Sequence, residues 1–178
     1  MNTYVIGDIH GCFNQFMHLL KKIDYKKNKD KIILVGDLVN RGPDSLSVLN
    51  YCMADTTITS VLGNHDLYLL YLMSIKKAKG SLKDIIEAKN NKKIFQWLLA
   101  RPLMIEIFDE LTENSFLITH AGIPEIWSPK KQQNLLMKLH HYFKKIRLRF
   151  LNPCGAMILN IGMMTYMARK DVELLLII

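Results

Sequence analysis

The chain reads as an α/β fold with helices packed on a largely parallel sheet. Three observations carry that reading. Short β-prone runs alternate with helical apolar patterns, each run stops at a glycine or histidine beside a metal-ligand residue type, and the 178 residues are 49% hydrophobic. A chain of this length buries about 70% of its unfolded surface, enough for one core.

Thr3 to Ile6 is the first β run and stops at Gly7-Asp8. The apolar residues Phe13, Phe16, Met17, Leu20 and Ile23 then recur at helical spacing. Lys31 to Val35 is the second run and stops at Gly36-Asp37, and Thr57 to Leu62 is the third and stops at Gly63-Asn64. Leu67 to Ile75 and Ile94 to Leu99 follow as helices, and Phe116 to Thr119 is a fourth run that stops at His120. In a β-α-β-α-β-α-β order the ligand crevice lies beyond the carboxyl ends of the strands. All four polar clusters fall there, so one site is expected from distant segments.

In GDIHG, Asp8 and His10 are two apart at a strand end, where side chains of an extended segment point the same way and can grip one cation. In GDLVNRGPDS, Asp37 occupies the place of Asp8, and a carboxylate there can bridge two cations about 3.5 to 4 Å apart. Arg41 follows at a Gly-Pro turn, where its planar fork suits a phosphoryl oxygen or simply faces solvent. In GNHD, the Asn64 carbonyl oxygen is a neutral metal ligand, and His65 is left for proton chemistry. The same segment also suits a helix start, with Asn64 as N-cap and Asp66 in the first turn. In THAG, His120 ends the fourth run before Gly122. Each cluster is weak alone; the four together, each after a β run and beside glycine, indicate a metal site.

GDIHG, GDLVNRG, GNHD and HAG, in this order, resemble the signature of calcineurin-like metallophosphoesterases. The narrower resemblance is to the symmetrical diadenosine tetraphosphatases, through TYVIGDIHGC, LVGDLVNRGPDSL, VLGNHDLYLL, WLLARPL and THAGIPEIW. Protein Ser/Thr phosphatases carry an aspartate where Asn40 stands and usually a glutamate where Asp66 stands, so both departures favour the dinucleotide hydrolases.

The resemblance implies a layered metallophosphatase-like sheet with helices on its faces, a four-layer α-β-β-α sandwich incomplete at the C-terminus. It implies one metal held by Asp8 and His10, shared through Asp37 with a second held by Asn64 and His120. Water between the two ions attacks phosphorus in line, His65 protonates or stabilises the departing oxygen, and Arg41 neutralises the phosphoryl group. The implied reaction turns diadenosine tetraphosphate into two ADP. The alternatives are a broader phosphodiesterase or protein phosphatase on the same site, or a truncated remnant without turnover. Such mixed O and N ligands suit Mn, Co, Fe or Zn, and the family favours Mn or Co.

The metallophosphoesterase domain is expected over residues 1–152, with 153–178 as an atypical tail. In the resembled family a Gly-His pair near the far end supplies a further histidine to the second metal. Here the later histidines, His140 and His141, lie on an amphipathic pattern and are not expected as ligands. The tail matches nothing in frame, whereas its permitted codons, read one base on after the codon of Asn152, give a string similar to the family's continuation. A frameshift is therefore expected, with weak hold on the second metal and low activity.

Twenty-four Lys+Arg against 16 Asp+Glu give a charge of +8, which suits a polyanionic small molecule such as a dinucleoside polyphosphate. No basic stripe is interleaved with aromatics as single-stranded nucleic acid prefers, so no nucleic-acid partner is expected. Three dispersed cysteines suggest neither a disulfide framework nor a zinc knuckle. No run reaches the roughly 18 apolar residues of a membrane span and no signal-peptide pattern opens the chain, so a cytoplasmic setting is expected.

Overall fold

The structure is a computed structural model and describes residues 1–77, 80–109, 113–122 and 134. The stretch Met1–Gly122 forms one compact unit. Its first part alternates: β1 (Thr3–Ile6), α1 (Phe13–Lys22), β2 (Lys31–Leu34), α2 (Ser45–Ala54), β3 (Ile58–Ser60) and α3 (Asn64–Ser74). A 3-10 turn at Gly80–Leu82, α4 (Lys83–Glu87), α5 (Asn91–Leu99), β4 (Met104–Asp109) and β5 (Asn114–Thr119) follow.

β1, β2 and β3 form a parallel sheet in that order, with Val5 opposite Ile33 and Ile33 opposite Thr59. The unbroken apolar run of β2 reflects its central place: Ile32, Ile33 and Leu34 are all buried. Ile33 joins Val61 and Ile118 in one apolar cluster, flanked by Val35, Ile105 and Ile107. By strand alternation Ile32 and Leu34 turn to the opposite face, where they are fully buried. α1 forms from its apolar stripe, burying Phe16 and Leu20, and ends with Lys21 and Lys22, whose charge suits a helix C-terminus. α2 begins at Asp44, whose carboxylate accepts from Ser47 N at 3.0 Å; it packs against β3 and α5.

The fourth expected run departs from the sequence reading. It does not extend the parallel sheet: β5 pairs antiparallel with β4, placing Ile105 opposite Ile118 and Ile107 opposite Phe116. Only residues 110–113 separate the two strands, and a parallel return needs a crossover of about a dozen residues or more. A short connection therefore forces a hairpin. Its Ile105, Ile107 and Ile118 still pack on the cluster around Ile33, so β5 delivers its end close to the parallel sheet. The described layers are helices, parallel sheet and hairpin. The expected boundary at residue 152, the tail 153–178, His140 and His141 lie outside the described residues.

Candidate metal centre

The loops that leave β1 and β2 are stitched together by backbone hydrogen bonds. Ile9 N and His10 N both donate to Asp37 O, at 3.1 and 2.8 Å, Gly11 N donates to Leu38 O at 2.9 Å, and Gly42 N donates to His10 O at 2.7 Å. The stitching holds four non-glycine residues in the left-handed region: His10 (φ 49°), Asp37 (φ 50°), Asn40 (φ 74°) and Arg41 (φ 64°). Such conformations cost about 1 to 3 kcal/mol each and persist where surrounding contacts impose them, characteristically at functional sites. The loop after β3 approaches so closely that a Cβ on Gly63 would overlap the Asp37 carboxylate and backbone. Glycine is required there by contact, not by φ.

Asp66 locks the second and third loops to each other. Its fully buried carboxylate accepts from Leu38 N and from Gly63 N, both at 3.0 Å. Burial pushes its carboxyl up to about 7, against the lowering effect of those two N–H groups. The N-cap of α3 is Gly63 and not Asn64, so Asn64 is the first helical residue. Asp66 at the third position accepts from the N-cap amide, the carboxylate half of a capping box. The Asn64 side chain is thereby left free of capping.

The chain ends of β1, β2, β3 and β5 bring Asp8, His10, Asp37, Asn64, His65 and His120 together. His10 Nε2 lies 3.4 Å from Asp8 Oδ2 and 3.9 Å from Asp37 Oδ2. His120 Nε2 lies 3.5 Å from Asp37 Oδ1 and 3.1 Å from Asn64 Oδ1. His65 Nε2 lies 3.8 Å from Asp37 Oδ2. His10, Asp37 and His65 offer ligand atoms within 4.8 Å of one another.

Two features test whether cations fit. Val35 O, 2.8 Å from His120 Nδ1, can only accept, so Nδ1 carries the hydrogen and Nε2 presents a lone pair. That lone pair faces the Asn64 carbonyl oxygen and the Asp37 carboxylate, which are also acceptors. Acceptors set against acceptors repel unless a positive charge lies among them. The backbone carbonyl behind His120 is also the usual outer partner of a ligating histidine. Second, His10 Nδ1 is buried without a hydrogen-bond partner among the described residues. Its ring is thus not held by a hydrogen bond at Nδ1, while the other nitrogen, Nε2, faces the Asp8 and Asp37 carboxylates. Two donors about 2.1 Å from one ion stand roughly 3 to 3.5 Å apart, close to the separations found here. The donor set fits divalent cations.

His65 is held differently. Its Nδ1 is 2.8 Å from Asn40 Nδ2, an amide that can only donate, so Nδ1 accepts and the hydrogen of the neutral ring sits on Nε2. Burial lowers its pKa below the ordinary imidazole value; Asp37 opposes this, while His10, Arg41 and His120 add to it. With its hydrogen there, the neutral ring presents a donor and no lone pair at Nε2. Arg41 is exposed, and no carboxylate among the described residues pairs with its guanidinium.

Three supporting residues have roles that the sequence does not show. Asn40 was legible only as a departure from an aspartate, Ser81 carries no local signal, and Asp66 looks like an ordinary first-turn acid. Their parts become visible only when the loops are together.

Residues 1–153 match a family model described as calcineurin-like phosphoesterase. A symmetrical bis(5'-nucleosyl)-tetraphosphatase of Hamiltonella defensa is 38% identical over 152 residues, covering 83% of this chain and 54% of the relative. The protein of the same description from Cellvibrio japonicus is 40% identical over 148 residues, covering 81% and 53%. The chain thus spans about half the length of the curated relatives it matches. Among solved structures, a candidate diadenosine tetraphosphatase superposes with a TM-score of 0.60 at 32% identity, covering 72% of this chain and 54% of the other. A protein serine/threonine phosphatase from Saccharomyces cerevisiae gives 0.54 at 23% identity, covering 74% and 42%, a likeness of fold.

Proposed function

The chain belongs to the calcineurin-like phosphoesterase family, and from that premise we propose that it hydrolyses dinucleoside tetraphosphates symmetrically, diadenosine tetraphosphate giving two ADP. The observation that carries the reading is the cluster of lone pairs from Asp8, His10, Asp37, Asn64 and His120, with the Nε2–H of His65 beside it. The similarity to symmetrical tetraphosphatases at 38 to 40% identity supports the choice of substrate.

Asp8 and His10 would hold one divalent ion and Asn64 and His120 a second, with Asp37 available to both. Bound there, two such ions, Mn or Co by the family's preference, supply Lewis acidity and lower the pKa of water. The chain's residues supply the rest. Arg41 accepts the negative charge of a phosphoryl oxygen through its fork of donors. Water adds to one of the two central phosphorus atoms and gives up one proton to solvent, the bond from that phosphorus to the bridging oxygen breaks, and His65 passes its Nε2 hydrogen to that oxygen as it leaves on the second ADP. The domain is proposed to run to residue 152 and to work in the cytoplasm, on a small polyanion and not on nucleic acid. Among the described residues, Cys12 and Cys52 are free thiols and no helix is long and apolar enough to cross a membrane.

Substrate profiling with Mn²⁺ or Co²⁺ tests the proposal. ADP is expected as the sole nucleotide product from diadenosine tetraphosphate. Preferred release of inorganic phosphate from phosphopeptides would select a broader phosphatase, and a folded, metal-loaded chain without turnover would select a non-catalytic remnant. Arg41→Ala is expected to raise KM as well as lower kcat, because a phosphate-binding charge acts on ground and transition states alike. An unchanged KM in steady-state assays would reduce Arg41 to a turn residue.

A further inference from the structure

The carboxamide of Asn40 is a two-ended switch. Whichever end faces His65 Nδ1 dictates where that ring keeps its hydrogen: the NH₂ end leaves it on Nε2, and the oxygen end draws it to Nδ1. Chain context decides between the ends. Asn40 Oδ1 receives Arg41 N at 3.0 Å and Ser81 Oγ at 2.9 Å. A backbone amide can only donate, so the atom opposite it must be oxygen, and the Ser81 hydroxyl then donates as well. With the oxygen occupied by two donors, the NH₂ group is turned to His65 at 2.8 Å. The asparagine backbone is fixed too, since Asn40 N donates to the Oγ of buried Ser45 at 3.0 Å.

We infer that Ser81, together with the Arg41 amide, holds the Asn40 oxygen turned away from His65, so that Asn40 leaves the His65 hydrogen on Nε2 and aims it into the metal centre. Ser81 and Asn40 are positioning residues in this relay. Ser81 is supplied by the 3-10 turn Gly80–Leu82, forty-one residues along the chain from Asn40, so a segment outside the four motif loops reaches into the proton chemistry. An aspartate at position 40 would act differently: both its oxygens accept, so it would draw a hydrogen to Nδ1 and leave one on Nε2 only in the protonated ring. The relay rests on the reading of His65 as the proton donor, but the placement of the hydrogen is measurable without turnover.

The experiment is nitrogen-15 NMR of the full chain, labelled at histidine and loaded with diamagnetic Zn²⁺, at a pH where His65 is neutral. The His65 signals are assigned by their loss in His65→Gln. In the unaltered protein a one-bond N–H coupling is expected at Nε2, with Nδ1 bare. Ser81→Ala should introduce a population with the hydrogen on Nδ1 and lower kcat about 3- to 10-fold at unchanged KM, the scale of one hydrogen bond. Ser81→Thr, which keeps the hydroxyl, should restore both. Asn40→Asp should place a hydrogen on Nδ1 outright, and unchanged signals from His18, exposed on α1, report that the fold is intact. A hydrogen on Nδ1 in the unaltered protein, or a Ser81→Ala ring indistinguishable from it, would overturn the relay. If the hydrogen moves as stated while no variant or parent hydrolyses diadenosine tetraphosphate, the relay stands and the proposed reaction fails.

Discussion

Asp37→Asn is expected to take metal-dependent hydrolysis down to assay background. The carboxylate is buried, with its two oxygens facing different partners: Oδ1 lies 3.5 Å from His120 Nε2, and Oδ2 lies 3.9 Å from His10 Nε2. Oδ1 also accepts from His65 N at 2.9 Å, which ties the start of α3 to the loop after β2. Asparagine keeps the shape, but loses the charge that would serve both cations. It also turns one acceptor into an NH₂ group, placing hydrogens where positive ions are to sit. Metal content by elemental analysis, measured beside ADP release, should show both falling together. Retention of most of the rate would sink the two-metal assignment.

His65→Ala has the second largest expected effect, a loss of about 10² to 10⁴ in turnover, the scale of one general acid. Metal content should stay nearly unchanged. Proximity alone does not separate a ligand from a proton donor here, since His65 sits within 4.8 Å of the ligand atoms of His10 and Asp37. The Asn40 contact separates them by leaving Nε2 with a hydrogen instead of a lone pair. An equal loss of bound metal in His65→Ala would place the ring among the ligands and remove its role as donor.

The first three strands were legible because each is a short apolar run that ends abruptly at Gly-Asp or Gly-Asn, and α1 because its apolar residues keep one stripe. α2 was not delimited. Leu46, Val48, Leu49, Tyr51, Cys52 and Met53 surround its axis, so no single face stands out. β4 carries no clear strand signal and β5 reads as another parallel strand, because pairing direction depends on the length of a connection and not on composition. Within the centre, the residues that end strands are visible in the sequence, since their chemistry and their position coincide. The supporting contacts are not visible: Ser81 meets Asn40, and Asp66 meets Leu38, only after separate loops have come to one edge. How His65 is held without an aspartate at position 40 was likewise answered only by the folded arrangement.

The Asp66 carboxyl has a bearing on how the centre can come apart. Because one side chain receives the amides of both Leu38 and Gly63, neither loop can peel away without stranding a buried polar group belonging to the other. The loops carrying Asp37 and Asn64 are therefore coupled, since separating them breaks the buried Leu38–Asp66 hydrogen bond. Partial opening, with one loop loosened and the other kept, is disfavoured. The acidic residue beside His65 thus makes the middle of the site cooperative: loosening either loop is opposed by a buried group held with the other.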